Sequence, residues 1–358
     1  MVRFNVTMER PNLMLLVILG IFVPLGLGLE RCFDRYGCFN NLPPFKLVLP
    51  LPQSPSKVNT KYYLYTRANR ILGEKEILDD NNAEKLASSH FNISRSRTIL
   101  TSHGWTENSN GYFDWMLRLK DALLDKDDFN VILIDWENGA KQIYGQSTAN
   151  TRLVGVMTAE LINFLIVHGG NSVDLIDRFY FIGFSLGAQV AGYAGRHLQT
   201  KYRMNLPRIT GLDPAAPHFT ATDAEVHLDK TDAEYVDIVH TNMPLIGTSD
   251  HVGHTDFFPN GGSFHPGCLD EPSNAVFTIG CNHLRSTEFY IKTVKEDCPN
   301  PWVGHPCSSY FSYWFGNCND CGKDGCPLMG YRAEESKLHG AYYLRTGRED
   351  EDTLCPKS

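Results

Sequence analysis

Ser185 stands between two glycines in Gly183-Phe184-Ser185-Leu186-Gly187. A serine hydroxyl is a weak nucleophile until a histidine takes its proton. The histidine in turn needs a carboxylate to fix its tautomer and stabilise the imidazolium. The flanking residues say where this serine sits. Phe179–Phe184 is an apolar run without a helical period, as a buried strand would be, and Ala188, Val190, Ala191, Ala194 and Leu198 follow at helical spacing. The spacing predicts a sharp strand-to-helix corner at Ser185. There the backbone two residues before the serine approaches the backbone two residues after it, too closely for a Cβ, and Gly183 and Gly187 fit. Such a corner is the nucleophile elbow of hydrolases, which leaves Oγ free at the strand's end. The plainer alternative is a tight turn with an incidental serine. Ala188, Ala191, Gly192 and Gly195 would let the helix lie close on a sheet.

In hydrolases with this elbow the triad follows in the order Ser, then Asp or Glu, then His. Asp213, in "ITGLDPAAP", ends the next strand-like run and suits the acid; otherwise it only starts a turn before Pro214. Nine histidines follow it, and spacing does not choose among them. His283, in "GCNHLRS", has Cys281 two residues before it, which would pin its loop. The pair in "HVGH", His251 and His254, reads as loop residues rather than metal ligands. A tetrahedral intermediate also needs backbone N–H donors. Leu186 follows the nucleophile, and Trp105, in "ILTSHGW", follows an earlier strand-like run, so these two are the oxyanion candidates.

The elements that must hold these residues alternate between strand and helix. Strand-like runs cover 61–67, 98–101, 130–134, 207–212 and 234–241, and helical spacing covers 112–124 and 150–167. That alternation predicts a mostly parallel sheet with helices on both faces and its chemistry beyond the carboxyl ends of the strands. Residues 242–282, rich in Gly and Pro, read as loop, and the aromatic "YFSYWFG" reads as a buried strand rather than a surface that touches lipid. The chain has 358 residues, 42% hydrophobic and 21% charged, with formal net charge −8 and no basic block, which excludes nucleic acid as a partner. Arg3 and Arg10 precede an apolar run of about eleven residues, too short for the ~20 of a bilayer helix. Residues 1–28 are therefore expected to be a secretory signal peptide and not a transmembrane anchor. All ten cysteines lie beyond it, an even number that in an exported chain points to disulfides rather than zinc at Cys318, Cys321 and Cys326. Asn92-Ile93-Ser94 is a glycosylation sequon.

Together "RCFDRYGCF", "TSHGW", "VILIDW", "GFSLGAQVAG", "GLDPAAP", "HTDFFPNGG" and "CNHLRS" resemble, in order, the pancreatic lipase family of secreted α/β-hydrolases. The resemblance runs from Cys32 to near Gly347. It implies an α/β-hydrolase fold stapled by disulfides, a triad of Ser185, Asp213 and His283, and oxyanion donors Trp105 and Leu186. The implied disulfides are Cys32–Cys38, Cys268–Cys281, Cys307–Cys318 and Cys321–Cys326, with Cys298–Cys355 the remaining candidate. Residues 29–358 are expected to form one catalytic domain without the family's C-terminal β-sandwich, and hence without a colipase-type partner. The segment between Cys268 and Cys281, "LDEPSNAVFTIG", matches the family's lid but has twelve residues, and the neighbouring "MPLIGTSDHV" is also short. In the family that combination goes with phospholipase A1 activity, so the expected substrate is a phospholipid or other glycerolipid at a lipid–water interface. Triacylglycerol or galactolipid hydrolysis is the alternative, and a catalytically silent lipid carrier or storage protein is the alternative of another class. No cofactor is expected. Asp229 and Asp232 match ligand positions of the family's structural calcium, but Ala224 stands where a glutamate is expected.

Overall fold

The computed structural model describes residues 29–46, 48–107, 114–268, 275–295, 302–318 and 320–347. Its strands are β1 (Glu30–Phe33), β2 (Gly37–Asn40), β3 (Lys61–Tyr65), β4 (Glu76–Leu78), β5 (Arg97–Ser102), β6 (Phe129–Asp135), β7 (Phe179–Phe184), β8 (Arg208–Leu212), β9 (Val236–Val239), β10 (Thr255–Pro259), β11 (His305–Pro306) and β12 (Gly340–Leu344). Its helices are α1 (Pro55–Val58), α2 (Ala83–Ala87), α3 (Trp115–Lys126), α4 (Glu137–Ala140), α5 (Tyr144–Gly169), α6 (Leu186–His197), α7 (Ala275–Lys295) and α8 (Tyr310–Trp314). Apart from the β1–β2 hairpin, the strands form one sheet in the order β11-β12-β10-β9-β8-β7-β5-β6-β3-β4. From β12 to β6 every pairing is parallel; β3, β4 and β11 join antiparallel at the edges.

Parallel strands buried on both faces need apolar side chains on both, and β7 provides them. Phe179 and Phe181 enter the layer with Leu153, Leu161 and Leu165 of α5 and Val190 of α6. Tyr180, Ile182 and Phe184 enter the opposite layer, with Leu119 of α3 and Phe289 and Val294 of α7. The alternation is the two-residue period of the pleat. α5 has the length and hydropathy of a membrane span, yet its Leu153, Val154, Leu161, Ile162 and Leu165 are fully buried in the first layer. In the second layer Arg208 and Asp237 make a two-pronged ion pair at 2.8 and 3.1 Å, with Tyr180 stacked under the guanidinium.

The mostly parallel sheet, the helices on both faces and the disulfides agree with the expected fold class. Three local expectations fail. The stretch read as loop contains β10, a buried parallel strand between β9 and β12, and then the start of α7. His283 is consequently on a helix, not in a loop. "YFSYWFG" is not a buried strand but α8 and the turn after it, with Phe311 71%, Trp314 53% and Phe315 62% exposed. The Ser309 side chain caps a helical turn by accepting from Ser312 N–H, which starts a helix where a strand was expected.

Candidate active site

The corner between β7 and α6 puts Ser185 at φ 55° and ψ −121°, a left-handed φ that a serine adopts only when its surroundings enforce it. Enforcement is visible: Ser185 N–H donates to Leu212 O at 3.0 Å, and Ser185 O accepts from Ala188 and Ala215 N–H. A Cβ on Gly183 would lie 2.3 Å from Gly187 O, and one on Gly187 would lie 2.2 Å from Ser102 O. Gly195 lets α6 lie against Ile209 of the sheet, 3.2 Å from where its Cβ would stand, and Gly192 and Gly195 also let it press on residues 228–232, where a Cβ at Gly195 would meet Asp232 O at 2.1 Å.

Asp213 lies at the carboxyl end of β8, next to β7, and is fully buried. Its Oδ1 accepts from Thr241 N–H at 2.7 Å and Asn242 N–H at 3.1 Å; its Oδ2 lies 2.5 Å from His283 Nδ1. These contacts make Nδ1 the protonated nitrogen and leave Nε2 as the acceptor. Nε2 is buried and has no hydrogen-bond partner among the described residues. The His283 ring rests on Phe184, centroids 4.5 Å apart, one residue from the serine. Ser185 and His283 share a cavity of about 180 Å3 whose other walls include Trp105, Tyr144, Phe184, Ile246 and Leu284. Two larger clefts, of about 500 and 440 Å3, lie elsewhere, beside the β1–β2 hairpin and beside the Cys307–Cys318 loop.

Leu186 opens α6, so its N–H points out of the positive end of a helix. Trp105 follows β5, β7's other neighbour. No hydrogen bond among the described residues engages either N–H. A Cβ on Gly104 would sit 2.8 Å from Ser185 Cβ, so this loop lies directly against Ser185.

Three groups here carry no signal in the sequence. Gly247 packs against Asp213, its absent Cβ 2.2 Å from Oδ1. His265 Nε2–H donates to Thr241 O at 3.0 Å, steadying the peptide that feeds Asp213. Glu107 is buried in the cavity wall and accepts from Gly104 N–H at 2.8 Å. Burial pushes its carboxyl above the ordinary Glu value, against the opposing pull of His103, the Gly104 N–H, His283 and Trp115. Such roles depend on segments that only the fold brings together.

The family model described as Lipase matches residues 29–351. The chain belongs to the lipase family. Pancreatic triacylglycerol lipase of Mus musculus is 36% identical over 347 residues, covering 89% of this chain and 71% of the relative. Inactive pancreatic lipase-related protein 1 of Mus musculus is 35% identical, with 89% and 70% covered. Pancreatic lipase-related protein 3 of Homo sapiens is 35% identical over 361 residues, with 92% and 73% covered.

Within this lipase-family chain the structure closes Cys32–Cys38, Cys268–Cys281, Cys307–Cys318 and Cys321–Cys326. Cys298 and Cys355, the signal segment 1–28 and the first half of the short Cys268–Cys281 segment lie outside the described residues. Asn92 is exposed, its side chain accepting from Ser94 N–H in a turn. The Asp229 and Asp232 carboxylates are engaged by protein partners in this structure. Calcium takes six to eight oxygens, but Asp229 Oδ1 caps Thr231, and Asp232 is divided between the Asp229 N–H and Arg196. The Arg196 guanidinium stands where a cation would, donating to Asp232 Oδ1 at 2.6 Å and to the carbonyls of Ala224 and His227 at 2.5 and 3.3 Å.

Proposed function

We propose that this chain is a secreted carboxylic ester hydrolase of glycerolipids, acting as a phospholipase A1 that releases the sn-1 fatty acid. The observation that carries the hydrolytic reading is one cavity holding an elbow serine and a histidine whose Nδ1 is bonded to a buried Asp213. His283 Nε2 takes the Ser185 proton as Oγ attacks the ester carbonyl. The imidazolium is stabilised by Asp213, and the oxyanion by the N–H groups of Trp105 and Leu186. His283 then protonates the leaving alcohol. Water, deprotonated by the same Nε2, cleaves the acyl-enzyme and frees the fatty acid.

The preference for phospholipid rests on the twelve residues between Cys268 and Cys281 and on the short 243–252 loop. A short cover offers little apolar wall for a triglyceride and leaves room for a polar headgroup. Secretion rests on the disulfides and the charged-then-apolar N-terminus. A relative named as a triacylglycerol lipase favours neutral lipid as the second reading. A relative named inactive makes a silent carrier the reading to eliminate first.

Labelling with a fluorophosphonate separates enzyme from carrier: the wild type takes the probe and Ser185→Ala does not. Loss of the nucleophile costs ~10⁶ in kcat in enzymes of this design, so a turnover assay has ample range. Regiospecifically labelled phosphatidylcholine, assayed beside a triglyceride emulsion, decides the substrate. Dominant triglyceride turnover defeats the phospholipase reading.

A further inference from the structure

The oxyanion loop is clamped on both of its peptide planes, and one clamp is an acid with no other evident purpose. His103 Nε2 accepts from Trp136 N–H at 3.1 Å, so its proton is on Nδ1, which donates to Gly104 O at 3.0 Å. A peptide is planar and trans. Holding the Gly104 carbonyl therefore aims the Trp105 N–H in the opposite direction. The preceding plane is held by Glu107, whose Oε2 accepts the Gly104 N–H at 2.8 Å. Thr106 N–H, bonded to Ala140 O at 3.2 Å, closes the far side of the loop. The indole of Trp115, at the start of α3, also donates to the Glu107 carboxyl and ties it to the second core layer.

This clamp is close to the chemistry. The point where a Cβ would stand on Gly104 is 3.2 Å from Ser185 Oγ and 3.4 Å from Glu107 Oε2. A full negative charge there would oppose an oxyanion. Burial raises this carboxyl above the ordinary Glu value, while His103, the Gly104 N–H, His283 and Trp115 pull the other way. The hydrogen bond, not the charge, is therefore the useful part.

We propose that Glu107 is a positioning residue of the reaction: by holding the Gly104 N–H it fixes the peptide plane before the one His103 holds, and so keeps the Trp105 N–H aimed at the oxyanion formed on Ser185. The proposal rests on the hydrolytic reading above. Such a role acts on the transition state and leaves the bound ester largely untouched.

The test compares wild type, E107Q and E107A in turnover of soluble p-nitrophenyl butyrate and in the rate of fluorophosphonate labelling. E107A is expected to lose ~10²–10³ in kcat, as when an oxyanion donor is removed, with KM changed less than about threefold. E107Q keeps an acceptor for Gly104 N–H and gives up the Trp115 bond, so its kcat is expected within about tenfold of wild type. E107A within threefold of wild type overturns the proposal, as does E107Q as slow as E107A, which would assign the effect to charge. Should E107A fail to fold, E107M takes its place, filling a similar volume without an acceptor. A wild type inert to both ester and probe defeats the hydrolytic reading instead.

Discussion

Gly187→Ala tests the elbow and the oxyanion loop together. The new Cβ would lie 2.2 Å from Ser102 O and 2.7 Å from His103 O. An ordinary carbon–oxygen contact is about 3.3 Å, so the overlap is about 1 Å, against backbone on both sides. The backbone cannot rotate away as a side-chain tip can. Either the end of β5 retreats, taking the Trp105 N–H with it, or the start of α6 does, taking Ser185 and Leu186. A misplacement of about 1 Å in a catalytic site costs ~10² in rate, which is about 2.7 kcal/mol of barrier. The overpacking itself costs about 1–3 kcal/mol of stability, which leaves a fold of this size populated. The expected result is a folded protein whose kcat on a soluble ester falls about 100-fold with little change in KM. Gly73→Ala is the control, because a Cβ there meets nothing within 4 Å. Folded G187A with kcat within about threefold of wild type would refute the argument that this corner sets the donor geometry.

Other outcomes follow from named contacts. In Asp213→Asn the amide oxygen can keep the Thr241 and Asn242 N–H groups only by turning its NH2 toward His283 Nδ1. That forces the wrong tautomer, and kcat is expected to fall ~10⁴ with an unchanged melting temperature. Burial raises the Glu160 carboxyl, but bonds from His197, Lys201 and Tyr202 outweigh it and bring the carboxyl down to about 2. A depressed acid contributes stability above its unfolded value near 4.5 and loses it as pH falls toward 2. Glu160→Gln should therefore flatten part of the acid limb of stability, by about 1–2 kcal/mol after solvent screening of the exposed Lys201, measured by denaturant melts from pH 6 to 2.5. Asp237→Ala leaves Arg208 charged and buried; a loss of about 3–5 kcal/mol is expected in the same melts.

What the sequence made legible was local. Phe179–Gly187 declares its strand, corner and helix because each is contiguous and each constrains residue type, and the structure has the elbow there. β10 was hidden because its five residues end at Pro259 and run into Asn260-Gly261-Gly262, so turn chemistry masks a parallel strand that is recognisable only by its neighbours β9 and β12. α7 was missed because Gly280, Cys281 and Asn282 interrupt its apolar period; Asn282 Oδ1 in fact accepts from His265 N–H, a tertiary contact. The choice of His283 among nine histidines needed family motifs, since what selects it physically is an Asp213 oxygen seventy positions away. Glu107 was invisible for the same reason: nothing in "HGWTE" tells a solvated acid from one that turns inward.

Ser185 and His283 are contributed by opposite faces of the sheet, Ser185 by the corner leading into α6 and His283 by α7. Turnover is thus a joint property of two separate oil layers. If either layer loosens, Ser185 Oγ and His283 Nε2 drift out of register before the rest of the molecule melts. Heat inactivation should never lag behind unfolding in this protein, and selection acting on catalysis alone would police the packing of both halves.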